Sequence, residues 1–266
     1  MSTALANKLN GKVSRKTKQT PAQTEHENTI AMTETAIVPV SSSDYLALTS
    51  NALDIINENL KNQPLSYAMF DIIKSPSGGI TSFSVPGLSG EVMEKELTGI
   101  ILDYTTPRAY WDTPDPVEGT PPVCWSSDSL VSHLGEPCAR CQFNDYGSKN
   151  GGETAAKACK ENVQIFLLRP DNIMPVIVRV PVSSKLIFQK YMTRLVGKML
   201  PLSGVVTQIT LEKKTSREGK PYAQYHFEAV GSLSPGEAVA AKTFGAKFTE
   251  ILNNSVELSE EVGGDE

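Results

Sequence analysis

The sequence predicts a mainly β protein of the α+β class: a five-stranded Greek-key barrel, interrupted after its first strand by a cysteine-rich insertion and flanked by helices. Three observations lead there. Five strand-like runs between residues 96 and 230 are bounded by Gly, Pro and Asn turns, and one amphipathic helix falls between the third and the fourth. All four cysteines of the 266-residue chain lie in the long connection between the first and the second. With 39% hydrophobic residues the chain supplies a core for one ordinary domain with tails.

Residues 1–36 are rich in Ser, Thr, Gln, Asn and Lys and lack hydrophobic periodicity, so a disordered basic arm is expected there. Residues 37–95 read as an entry module. In it Asp44 caps a helix carrying Leu46, Leu48, Leu53, Ile55, Ile56 and Leu60, which Pro64 ends. A short apolar run at 67–73 follows, then the turn Ser75-Pro76-Ser77-Gly78-Gly79 and a second run around Phe83 and Val85. The barrel, residues 96–230, opens with a strand at 97–104, closed by Tyr110 and Trp111. Residues 114–160 are rich in Pro, Gly and Cys with little periodicity, which predicts a module held by something other than an apolar core. Strands at 163–168 and 176–182 flank the turn Arg169-Pro170-Asp171-Asn172. Ser183 or Ser184 then opens a helix with Leu186, Ile187, Tyr191, Leu195 and Met199. Strands at 205–214 and 222–230 are joined by a basic loop. Residues 231–254 form a helix carrying Val239, Phe244, Phe248, Ile251 and Leu252, and 255–266 are an acidic tail. This order is the one expected of an OB-fold, whose second and third strands and flanking loops bind oligonucleotides in many proteins.

The net charge of −5 hides a segregated distribution. Lys8, Lys12, Arg15, Lys16 and Lys18 lie in a stretch without acids, while Glu257, Glu260, Glu261, Asp265 and Glu266 form a tail without bases. Residues 157–220 carry twelve Lys or Arg against four acids, inside the part that reads as folded. No run reaches the roughly 18 apolar residues of a membrane span, and residues 1–20 are polar where a secretory signal needs an apolar stretch. A cytoplasmic protein is expected, in the host cytoplasm if phage-encoded, with no membrane partner.

Cys124, Cys138, Cys141 and Cys159 form a Cys-x13-Cys-x2-Cys-x17-Cys series. The central pair places two thiols on one tight knuckle, and four thiolates close a structural Zn2+ site with no open position for catalysis. A redox role for the Cys-x-x-Cys pair would need the start of a helix in a βαβ setting, and the setting here is a Pro- and Gly-rich loop.

Binding of single-stranded nucleic acid calls for cations along the phosphates and aromatic faces for the bases. The candidates are Tyr104, Arg108, Tyr110 and Trp111 before the insertion, Arg140 and Lys149 on it, Phe166, Arg169 and Arg179 on strands two and three, and Lys213, Lys214, Arg217, Lys220 and Tyr222 around the last hairpin. Lys185, Lys190, Arg194 and Lys198 on the helix read as a solvated face. There is no phosphate-binding Gly-rich loop, no Gly-x-Ser-x-Gly elbow and no His-Glu-x-x-His pair, so no enzyme is expected. Two alternatives stand beside nucleic-acid binding. One is a zinc-ribbon module for protein interaction or transcription regulation; the other is a nuclease using Asp112, Asp115 and Asp128.

With four cysteines between strands one and two, the chain resembles the zinc-containing OB domain of the large subunit of replication protein A. Its basic last hairpin and acidic tail are similar to those of phage and bacterial single-stranded DNA-binding proteins. The resemblance implies binding of single-stranded DNA in replication or recombination. It also implies that the tail (Glu257, Glu260, Glu261, Asp265, Glu266) recruits replication or recombination proteins and competes with DNA for the groove. The tail lacks the Pro-Phe ending of bacterial members, and the leading acidic module has no counterpart there.

Overall fold

The computed structural model describes residues 37–48, 51–61, 63–113, 120–149, 156–216 and 219–254. The expected arm, the acidic tail with its five carboxylates, Arg217 and Asp115 lie outside them.

The five expected strands form as β5 (Glu96–Thr105), β8 (Lys160–Leu168), β9 (Val176–Pro181), β10 (Val205–Thr215) and β11 (Pro221–Ser232). β5 pairs antiparallel with both β8 and β10, β8 with β9, and β10 with β11, which sets the order β9-β8-β5-β10-β11. β5 serves two neighbours by bending. Its register with β8 shifts between Ile101 and Asp103, and at Gly99 an added Cβ would stand 2.4 Å from the carbonyl oxygen of Leu168. Among the described residues no ladder joins β9 to β11. α2 (Val182–Gly197) lies against both, and the Tyr225 hydroxyl donates to the Arg179 carbonyl at 3.1 Å.

Short strands lengthen the sheet. β1 (Val38–Pro39) runs parallel to β11 and β2 (Ile72–Ile73) parallel to β9. β6 (Arg108–Tyr110) pairs with β8 and with β7 (Cys124–Ser126), which carries the chain into the cysteine module. The molecule is mainly β, with one large mixed sheet, a separate hairpin of β3 (Phe83–Gly87) and β4 (Gly90–Glu94), and three α-helices among the described residues.

Both faces of the central strands are buried. Val163, Ile165 and Leu167 of β8 join Leu97, Ile101, Val178, Ile209 and Tyr225 on one side, where α2 inserts Phe188, Tyr191 and Leu195. Phe166 and Leu168 join Ile100, Leu102, Ile177 and Val206 on the other, under α3 (Pro235–Asn254). A strand buried on both sides loses its polar alternation, which is why β8 reads as a continuous apolar run. α3 starts with a capping box: the Ser234 N–H donates to Glu237 Oε2 at 2.9 Å, and the Glu237 N–H donates to Ser234 Oγ.

Two expectations are corrected, and the packing of the entry residues is defined. The helix expected from Asp44 is instead two 3-10 turns, Ser42–Asp44 and Leu46–Leu48, followed by α1 (Ala52–Asn59); Tyr45 and Ala47 are drawn into the second core, which breaks the helical path. Ser184 does not open α2, because the helix begins at Val182 and the buried Ser184 hydroxyl accepts the Tyr225 N–H at 3.0 Å. The entry residues are part of the fold: Ile73, Phe83 and Val85 lie in the first core, and Tyr67 and Phe70 in the second.

Candidate nucleic-acid interface and cysteine cluster

The module folds on backbone hydrogen bonds more than on apolar contact. Val131 bridges Pro137, the Ser132 N–H reaches the Glu136 carbonyl at 2.8 Å, and the Cys138 N–H reaches Leu130 at 2.9 Å. The knuckle is a single 3-10 turn, Cys138–Arg140, closed by the Cys141 N–H on the Cys138 carbonyl. The Cys159 N–H binds the Phe143 carbonyl at 2.8 Å, so the fourth cysteine returns beside the knuckle as the chain enters β8.

All four cysteines are free thiols. Burial pushes the Cys159 thiol up to about 12; Arg108 opposes this, and the proximity of Cys138, Cys141 and Cys124 adds to it. Burial also raises Cys124, with a hydrogen bond to Ser132 acting against it and Cys141 and Cys138 acting with it. Among the described residues, no three His, Cys, Asp or Glu side chains stand in an arrangement that could hold a metal ion.

The module is tied to the large sheet by polar and aromatic contacts. Glu161 of β8 takes Arg108 at 3.1 Å and also Lys185 of α2, a triad linking β6, β8 and α2. The rings of Tyr110 and Phe143 stack at 3.8 Å, and Trp125 stacks on His133 at 5.3 Å with the planes 5° apart. Asp128 is engaged inside the module. Burial raises its carboxyl, but hydrogen bonds from the Leu130 N–H, the Ser126 hydroxyl and the Val131 N–H outweigh that and hold it below its usual range. Asp112 stands on a separate loop, and Asp115, the third carboxylate of the nuclease alternative, lies outside the described residues.

The expected nucleic-acid residues separate into two sets. Phe166 is fully buried, stacked on Phe70 at 5.1 Å and edge-on to Phe248, so it offers no face to a base. Trp111 is buried and its indole N–H donates to the Thr120 carbonyl. Arg108 is buried on Glu161 and Ser129, and Arg169 makes a two-pronged pair with Glu94 at 3.0 and 3.1 Å, so both guanidinium charges are already matched. Tyr110 spends its face on Phe143. Phe166, Trp111 and Arg108 are corrected from strand contacts to buried structural residues, while Arg169 and Tyr110 are half-buried and engaged within the fold.

The second set stays accessible. Arg140, Lys213 and Lys220 are exposed, and Tyr104 is exposed with one edge on Phe188. Lys214 and Tyr222 are cross-strand neighbours on β10 and β11, although Lys214 also pairs with Glu212. Lys149 is half-buried in the module, and Arg179 is half-buried with its Nη2 donating to the Tyr67 hydroxyl at 3.1 Å. Sequence reasoning missed Tyr146. It is 82% exposed, and the Lys157 ammonium lies 4.6 Å from the centre of its ring while also bonding Asn144 Oδ1 at 3.0 Å. The available signal was an aromatic residue inside a module with no core to take it.

No protein-family model, no curated protein and no solved structure matches this chain. Among the described residues no helix is long and apolar enough to cross a membrane.

Proposed function

We propose that this chain is a single-stranded DNA-binding protein that acts without strong sequence preference in replication or recombination, on an OB-type barrel carrying a zinc module. One observation carries the reading: the order β9-β8-β5-β10-β11, with α2 between the third and fourth strands and all four cysteines between the first and second. Cys124, Cys138, Cys141 and Cys159 would hold a structural Zn2+. Zinc held there would favour the thiolate form against the burial that raises Cys159. The strand meets Arg140, Lys149, Lys213, Lys214, Lys220 and Arg217 through phosphates and stacks on Tyr146, Tyr104 or Tyr222. Lys157 fixes one face of Tyr146 and leaves the other for a base. The acidic tail serves replication or recombination partners. The reading assigns binding and no catalysis.

A second reading, a protein-interaction module, draws on Val123, Leu130, Val131 and Leu134, all more than half exposed on the module.

Titration of a labelled dT oligonucleotide and of duplex of equal length, across a salt series with zinc content recorded, tests the first reading. The expected result is about one zinc per chain and a preference for the single strand, with log K falling by about 0.7 per neutralised phosphate per unit of log salt. Equal binding of duplex and single strand moves the assignment to the interaction module.

A further inference from the structure

The second core's face of β8 and β9 is divided. At its middle, Phe166, Leu168 and Ile177 are sealed by Phe70, Phe248 and α3. Toward the start of β8 the same face turns polar. Asn162 and Gln164 stand two residues apart, with Thr105 of β5 and Arg179 of β9 lying across from Gln164. That spacing puts the two carboxamides on one side of the strand, about 7 Å apart along it. Gln164 is 0% exposed, and neither its Oε1 nor its Nε2 has a hydrogen-bond partner; Asn162 Oδ1 is likewise buried and unmet. Thr105 is occupied with the Ser127 carbonyl. Asn162 and Arg179 on either side are only half-buried, so the Gln164 carboxamide lies behind two side chains that reach solvent.

A buried carboxamide with both ends unmet costs stability that an apolar side chain of similar volume would not. A strand otherwise built here from Val, Ile, Phe and Leu gains nothing in folding from that glutamine, and conflicts of this kind concentrate at functional sites. The unmet atoms also specify what would satisfy them. The carboxamide atoms among them are two acceptors, Gln164 Oε1 and Asn162 Oδ1, and one donor group, Gln164 Nε2, with the buried Arg179 Nε beside them. A phosphate or carboxylate brings acceptors only and would leave both oxygens unmet. A nucleobase edge sets an N–H donor beside a ring-nitrogen or carbonyl acceptor, the complement of a side-chain carboxamide.

We propose that Gln164, with Asn162, holds one splayed-out base of the bound single strand by its edge, and that Arg179 beside it meets the adjoining phosphate. The proposal rests on the single-strand reading above and deepens it by naming the base-contacting residues. Every base carries a donor and an acceptor on its Watson–Crick edge, so the contact orders the strand without demanding one base.

The test uses the full chain with Gln164→Leu. Affinity is measured for a dT oligonucleotide and for an abasic strand of the same length, together with the Tm. The expected result is a raised Tm, dT affinity lowered about tenfold, and abasic affinity unchanged. A raised Tm with undiminished dT affinity overturns the proposal, because Gln164 then meets only a structural water. An equal loss for both strands also overturns it, since the contact would be to the backbone. Should the Leu variant misfold, Asn162→Ala at a half-buried position is expected to lower dT affinity several-fold and spare the abasic strand; unchanged dT affinity counts against the proposal. If the unaltered protein shows no preference for dT over duplex, the single-strand reading itself fails, an outcome separable from the others.

Discussion

Between Val163 and Leu168 six consecutive side chains are buried, whereas among the described residues from Cys124 to Cys159 only Ser126, Ser132 and Cys138 are. Apart from Gln164, this part of β8 is held by apolar burial from both sides. The module has no such reserve, and it rests on backbone hydrogen bonds and two stacked ring pairs, with the Cys124 and Cys159 thiols raised chiefly by burial. Scattered hydrogen bonds of this kind contribute only about 1 kcal/mol each. The two regions therefore answer to different perturbations.

The largest expected effect is on the module alone. Cys141→Ser, or a strong chelator added to the unaltered protein, is expected to abolish stoichiometric zinc and collapse the amide resonances of residues 120–149, while those of β8 to β11 stay dispersed. Loss of the barrel resonances as well would break the comparison, because the two regions would then fold as one unit. Next comes Phe166→Ala in the barrel. It removes a ring packed between Phe70 and Phe248, and is expected to cost about 3–5 kcal/mol in urea denaturation without changing zinc content. A cost under about 1 kcal/mol would show that the face collapses readily around the gap, and would weaken the case that burial sustains it.

The joint between the regions is the smallest and most local test. Glu161→Gln keeps the shape of the side chain but leaves Arg108, itself 9% exposed, without its carboxylate. Breaking such a buried pair is expected to cost about 3 kcal/mol, read as a lower urea midpoint. The same variant sharpens the comparison if the resonances of β6 and β7 shift while the second core around Phe166 does not.

Much of the fold was legible. Strand runs are marked by apolar residues and turn chemistry, so β8, β10 and β11 fall close to their expected bounds, and α3 starts where Ser234 and Glu237 form their box. β4 was not legible: four of its five residues are exposed, and it carries no alternation to read. The confinement of all four cysteines to the one connection between β5 and β8 was legible directly. Candidate contacts fared worse. Arg108 and Arg140 look alike in sequence, each a cation near aromatic residues, yet one is enclosed by Glu161 and the other faces solvent.

The sequence by itself determined the order of elements, the segregation of charge and the single module that holds every thiol, because these depend on neighbours along the chain. Only the tertiary structure decided which cations and rings remain accessible. Phe70 and Phe248 cover Phe166, Glu94 neutralises Arg169, and Glu161 encloses Arg108; each partner comes from a distant element, and exposure is settled by what packs on a residue, which local pattern does not encode.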